Sequence, residues 1–156
     1  MLEIQTEKEF MKNELAEEVR MFFPETEQAK VSVQHTAFCE NGHTMHRVLV
    51  QAEGKQAQCT LKGAAEDQPP MMQKRLDKRA AKLGTYRCLE TICGHGQPWG
   101  SLTGVRPVSM LRQLKREHNE AQFTDVLGVK PEKAALSEEI IRVQDDMMAK
   151  ADKNSV

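Results

Sequence analysis

Residues 31–61, VSVQHTAFCENGHTMHRVLVQAEGKQAQCTL, alternate apolar and polar side chains around two glycine-containing turns. Period-two alternation marks a half-buried strand, and Asn-Gly between two such runs is the strongest short hairpin signal a sequence carries. With Asn41-Gly42 as a two-residue turn, Cys39 faces Thr44, Ala37 faces His46, His35 faces Val48, Val33 faces Val50 and Val31 faces Ala52. A second turn at Gly54-Lys55, with glycine supplying a positive φ, sets Ala57 beside Ala52, Cys59 beside Val50 and Leu61 beside Val48. The expectation is a three-stranded antiparallel meander. Its buried face holds Val31, Val33, Val48, Val50, Ala57, Cys59 and Leu61, and its other face Ser32, Gln34, Arg47 and Gln51.

Upstream, Thr6 followed by Glu9 has the form of a capping box, and Phe10, Leu15, Val19, Phe22 and Phe23 make an apolar stripe at roughly helical spacing that Pro24 ends. Downstream, residues 63–70 read as a polar linker. Met72, Leu76, Ala80, Leu83, Tyr86, Leu89 and Ile92 then recur every three or four residues, predicting a long helix that closes near Gly94 and covers the meander. Residues 95–107 are a Gly-rich loop with one tryptophan. Helical patterns resume at Pro107, first with Val108, Leu111 and Leu114, then Phe123, Val126 and Leu127, and after Pro131 with Leu136, Ile140, Val143 and Met147. The fold class expected is α+β, a single compact unit. Its sections are 1–94 (helix, meander and basic helix), 95–107 (the Gly-rich loop) and 108–150 (a helical extension whose last stripe is left exposed).

A length of 156 residues fits one domain, and with only 4% aromatic residues but nine Met the core must be aliphatic. The formal net charge is −1, yet between Lys74 and His118 ten Lys or Arg stand against three acids, an excess of +7. Such asymmetry predicts a basic face that can meet phosphates, carboxylates or an acidic neighbour, or else a solvated helix surface. No apolar run approaches the ~20 residues a membrane span needs, and the N-terminus lacks the apolar core of a signal peptide, so the sequence reads as cytoplasmic. Four scattered cysteines do not make a secreted disulfide scaffold.

Four Cys and five His raise the question of a metal site, but no CxxC pair exists, and Cys88, Cys93 and His95 lack a second pair. On the meander, His35, Cys39 and His46 share one face and are the candidate ligands, needing a further donor from elsewhere. Packing at the sheet end is the plainer reading of these three. The loop Pro98-Trp99-Gly100-Ser101-Leu102-Thr103-Gly104-Val105-Arg106-Pro107 is neither a Walker A loop nor a Gly-x-Gly-x-x-Gly fingerprint. Its glycines allow close approach, Ser101 and Thr103 offer hydroxyls, and Arg106 precedes a helix N-terminus, where an anion is favoured.

This loop, preceded by a basic helix, resembles the corresponding segment of the oxygen-independent coproporphyrinogen III oxidase-like radical SAM proteins of Firmicutes, the coproporphyrinogen dehydrogenases. Agreement extends to the opening helix ending in Phe22-Phe23-Pro24, to the hairpin region and to Leu127-Gly128-Val129-x-Pro131-Glu132-Lys133-Ala134-x-Leu136. The resemblance implies an N-terminal accessory domain that ends where a catalytic barrel begins. In that family the barrel carries a Cys-x-x-x-Cys-x-x-Cys motif, a [4Fe–4S] cluster and S-adenosylmethionine, and oxidatively decarboxylates tetrapyrrole propionates in heme biosynthesis. The motif does not occur here, so no cofactor and no oxidoreductase chemistry are expected of this chain alone. The implied partners are a radical SAM domain, in cis or in trans, and a tetrapyrrole. Trp99, Ser101, Thr103, Arg106, Lys78, Arg79 and Lys82 are the residues expected near substrate or an acidic interdomain surface. A nucleic-acid-binding or protein-interaction module is the alternative, and the absence of an aromatic platform on the sheet weighs against the first of these.

Overall fold

The computed structural model describes residues 2–24, 30–102 and 106–154, and the chain is α+β. Its contacts group it into two compact units, residues 1–96 and 97–156, where the sequence reading took one unit jointed by the loop.

The first unit is a mixed four-stranded sheet in the order β1-β2-β3-β4, with strands Glu3–Thr6, Ser32–Glu40, His43–Ala52 and Lys55–Ala65. Helices α1 (Glu9–Phe22) and α2 (Pro70–Cys93) pack against it and each other. The first hairpin has the register read from the sequence: Cys39 pairs Thr44, Ala37 pairs His46, His35 pairs Val48 and Val33 pairs Val50. Asn41 and Gly42 take φ of 51° and 77°, the left-handed pair a type I′ turn requires. The ladder begins at Ser32 opposite Gln51, so the expected Val31–Ala52 pair lies outside it, although both residues are buried.

Four expectations for this unit are corrected. The sheet has four strands, because Glu3–Thr6 pairs in parallel with residues 32–35; a four-residue edge strand is too short to show a period. The Thr6–Glu9 capping box does not form, since Thr6 belongs to that strand and Lys8 is the helix N-cap, with no side-chain cap. The second turn is Glu53-Gly54, both at positive φ, so Ala52 pairs Lys55, Val50 pairs Ala57, Val48 pairs Cys59 and His46 pairs Leu61. That register is two residues from the one expected, and a slip of two leaves every side chain on its own face. Finally, β4 runs on to Ala65 where a linker was expected, and a register shift opposite Thr44 gives it one extra residue near Gly63.

The core joins Met11, Leu15 and Val19 of α1, Val33, Val48 and Val50 of the sheet, and Ala81, Cys88, Leu89 and Ile92 of α2. Helix α2 lies close against the sheet at Gly84, where a Cβ would stand 3.1 Å from Val48 Cγ2. Gly94 then ends it at φ 78°.

The second unit comprises α3 (Pro107–Arg116), α4 (Gln122–Asp125) and α5 (Pro131–Asn154) around Met110, Leu111, Leu114, Phe123, Leu127, Val129 and Ile141. Lys115 meets Glu138 at 2.7 Å and Arg112 meets Asp145 at 3.0 Å, joining α3 to α5. On α5, Leu136, Val143, Met147 and Met148 stay exposed.

Candidate functional site

Three strands and a helix converge on one buried hydrogen-bonded chain. Thr6 Oγ1 on β1 lies 2.8 Å from His35 Nδ1 on β2; His35 Nε2 lies 2.8 Å from His46 Nδ1 on β3; and His46 Nε2 lies 2.9 Å from Asp77 Oδ1 on α2. Ala64 N–H of β4 donates to the same carboxylate oxygen at 3.1 Å, and Lys8 N–H donates to Thr6 Oγ1 at 3.3 Å. The imidazoles stack at 5.1 Å between centroids and 10° between planes. His35, His46 and Asp77 are 4% exposed or less, while Thr6 is half-buried, so the chain reaches toward solvent only at its Thr6 end.

The sequence builds this chain from offset positions. His35 pairs across the ladder with Val48, and His46 with Ala37, so the two rings meet on the diagonal of one sheet face. Gly63 provides the gap: a Cβ there would come within 2.5 Å of Asp77 Oδ1 and 2.7 Å of His46 Nε2. The extra residue in β4 beside Gly63 turns Ala64 inward, where its N–H meets Asp77.

The partners assign the protons. A carboxylate only accepts, so His46 carries its proton on Nε2 and accepts at Nδ1 from His35 Nε2–H; His35 then accepts at Nδ1 from the Thr6 hydroxyl. Every donor finds an acceptor with both rings neutral. Burial, the His46 ring and Lys8 together lower the His35 pKa to about 4, partly opposed by Asp77. A fully satisfied buried polar network rigidifies and specifies the packing around it.

The metal candidates are thereby divided. His35 and His46 are brought together, but all four of their ring nitrogens are engaged within the chain. Cys39 is exposed, and its hydrogen bond with Glu66 raises its thiol pKa. Among the described residues no group of three or more His, Cys, Asp or Glu side chains could hold a metal ion. Cys88 donates to Val48 O at 3.6 Å, and burial, with the neighbouring Cys59, pushes its thiol up to about 12, which keeps it protonated and unreactive.

The loop residues have structural work in the second unit. Trp99 bridges Val129, Lys130 N–H donates to Pro98 O at 3.0 Å, and Ser101 N–H donates to Leu127 O at 2.9 Å. Gly100 has φ 61° and lies against the Leu127–Val129 backbone, where a Cβ has no room. Lys133 sits over the Trp99 ring at 5.6 Å. Ser101 is buried, Arg106 is exposed as the α3 N-cap residue, and Thr103 lies outside the described residues.

In the first unit Lys78 and Lys82 both reach Glu14, at 3.4 Å each, and Lys74 and Lys78 stand 4.8 and 5.5 Å from the Phe10 ring. Arg79 is half-buried on the same helix. Two of the three basic candidates are thus drawn onto α1.

Sequence reasoning missed two members of the buried chain, Thr6 and Asp77. Asp77 left a signal, as the only acid between Lys74 and Lys82, and it heads the row Asp77, Ala81, Gly84, Cys88 that α2 buries. Thr6 left none. No family model, curated protein or solved structure matches the chain. Among the described residues no helix is long and apolar enough to cross a membrane.

Proposed function

We propose that the chain is a non-catalytic accessory domain of a cytoplasmic radical SAM oxidoreductase of the oxygen-independent coproporphyrinogen III oxidase type, serving a barrel supplied in cis or in trans. One observation carries this reading: two of the segments that resemble that family meet in space, residues 98–101 of the first lying against residues 127–133 of the second. Trp99 with Val129, Pro98 with Lys130, Ser101 with Leu127 and Lys133 over Trp99 make them one structure. A resemblance whose two halves are interlocked in space is better support than two separate words in a sequence. The exposed apolar row that follows on α5 fits a domain that meets a partner protein. Nucleic-acid binding has less support, because Lys78 and Lys82 are engaged by Glu14.

The test combines the chain with the cluster-loaded radical SAM barrel of a coproporphyrinogen dehydrogenase, anaerobically, and measures complex formation by light scattering. A complex that Leu136→Asp with Val143→Asp abolishes is the expected result. No complex, together with tight and salt-sensitive binding of single-stranded RNA, would overturn the reading.

A further inference from the structure

The chain Thr6–His35–His46–Asp77 does more than fill the core, because its proton count can change and the consequences differ for the first and second proton. We propose that it is a proton-operated latch on β1: one proton enters with every hydrogen bond kept, and a second drives His35 from His46 and frees β1 from the sheet edge.

In the neutral chain each bond points toward Asp77. A first proton arriving at the Thr6 end protonates His35 Nδ1, and the Thr6 hydroxyl rotates to accept where it had donated. The His35–His46 bond then holds the charge as an imidazole–imidazolium pair, with its proton shifted toward the ring that faces the Asp77 carboxylate. No bond is lost. A second proton places His35 Nε2–H against His46 Nδ1–H at a spacing of 2.8 Å, between two stacked cations.

His35 is the ring that yields. The groups around it are Lys8 from the β1–α1 connection, His46 from β3 and Asp77 from α2, while β4 offers the backbone of Gly63 and Ala64. Cys39, on the same face of β2, is engaged by Glu66, and Glu14 of α1 is engaged by Lys78 and Lys82. Asp77 holds His46, and Lys8 with His46 opposes charge on His35. The way out is also defined: Thr6 is half-buried on a four-residue edge strand, whereas His46 sits between β2 and β4 and Asp77 within a 24-residue helix. Short edge strands open most readily.

The test follows imidazole nitrogen signals and backbone amide exchange on the intact chain from pH 7.5 to 3.5. At pH 7.5 both rings should carry their proton on Nε2. The first proton should move both sets of ring signals together; the second should lower the amide protection factors of Glu3–Thr6, taken against the intrinsic rate at each pH, by about tenfold while Val48 and Val50 stay protected. Thr6→Val should raise β1 exchange already at pH 7.5, and His35→Gln should leave β1 closed at pH 4. Independent titration of the two rings, or β1 opening only with the rest of the sheet, would overturn the latch. So would unchanged β1 exchange in Thr6→Val.

Discussion

His46 Nε2 lies 2.9 Å from Asp77 Oδ1, and the strand passing beside that bond does so at Gly63, where even a methyl group would come within 2.7 Å of both atoms. A sheet position and a helix position thirty-one residues apart are joined because the intervening strand has no side chain there. Gly63→Ala should therefore destabilise the first unit by about 1–3 kcal/mol, the usual range for overpacking a closed site. Urea unfolding followed by Tyr86, the only tyrosine and a member of the first unit, measures it. Met71→Ala, at an 87% exposed position, should change stability by less than about 0.5 kcal/mol in the same assay.

Asp77→Ala removes the acceptor for His46 Nε2–H and Ala64 N–H and leaves both donors buried. The expected loss is about 2–5 kcal/mol, the cost of orphaning buried polar partners rather than of one hydrogen bond. Combining Asp77→Ala with His46→Leu should cost less than the sum of the single changes, read by a double-mutant cycle.

Stability should fall in acid through His35. Its folded pKa is lowered to about 4 by burial, His46 and Lys8, while an unfolded histidine titrates near 6.5. The unfolded chain therefore binds a proton that the folded chain refuses. The stability is fully present above about pH 6.5 and is lost as the pH drops toward 4, by about 3 kcal/mol for a residue 4% exposed. Urea midpoints at pH 7.5 and 4.5 should separate, and His35→Gln should bring them closer.

Gly100→Ala should unfold or severely destabilise the second unit and spare the first. The residue is at φ 61°, and its added carbon would strike the Leu127 carbonyl, a backbone group that cannot swing aside. Trp99 is the only tryptophan and belongs to the second unit, so its emission reports that unit while Tyr86 reports the other. Loss of the Trp99 transition with Tyr86 unchanged is the expected pattern.

Val143→Asp on α5 should leave the Trp99 transition within about 0.5 kcal/mol, because Val143 is 48% exposed and lies outside the core that Ile141 enters. The same change should weaken any complex that uses the α5 row, measured by light scattering.

Much of the fold was legible because its signals are local. The Asn41-Gly42 turn set a nine-residue register correctly, and the stripe from Ala80 to Ile92 marked a helix that does lie on the sheet. The errors have equally local causes. Glu53-Gly54 and Gly54-Lys55 are both acceptable turns, and since the registers they set differ by two residues the alternation of faces does not choose between them. Residues 3–6 show no period because only four of them pair.

The sequence by itself determined the first hairpin, the faces that β2 to β4 bury, the covering helix and the placing of His35 and His46 on one face, because side-chain period and turn chemistry act over a few residues. Only the tertiary structure decided that those histidines are joined to each other and to Thr6 and Asp77 in one hydrogen-bonded chain. Thr6 and Asp77, which close its two ends, are separated from each other by seventy-one positions, and no period or spacing rule reaches across that distance. Three-dimensional packing through the gap at Gly63 brings them into line.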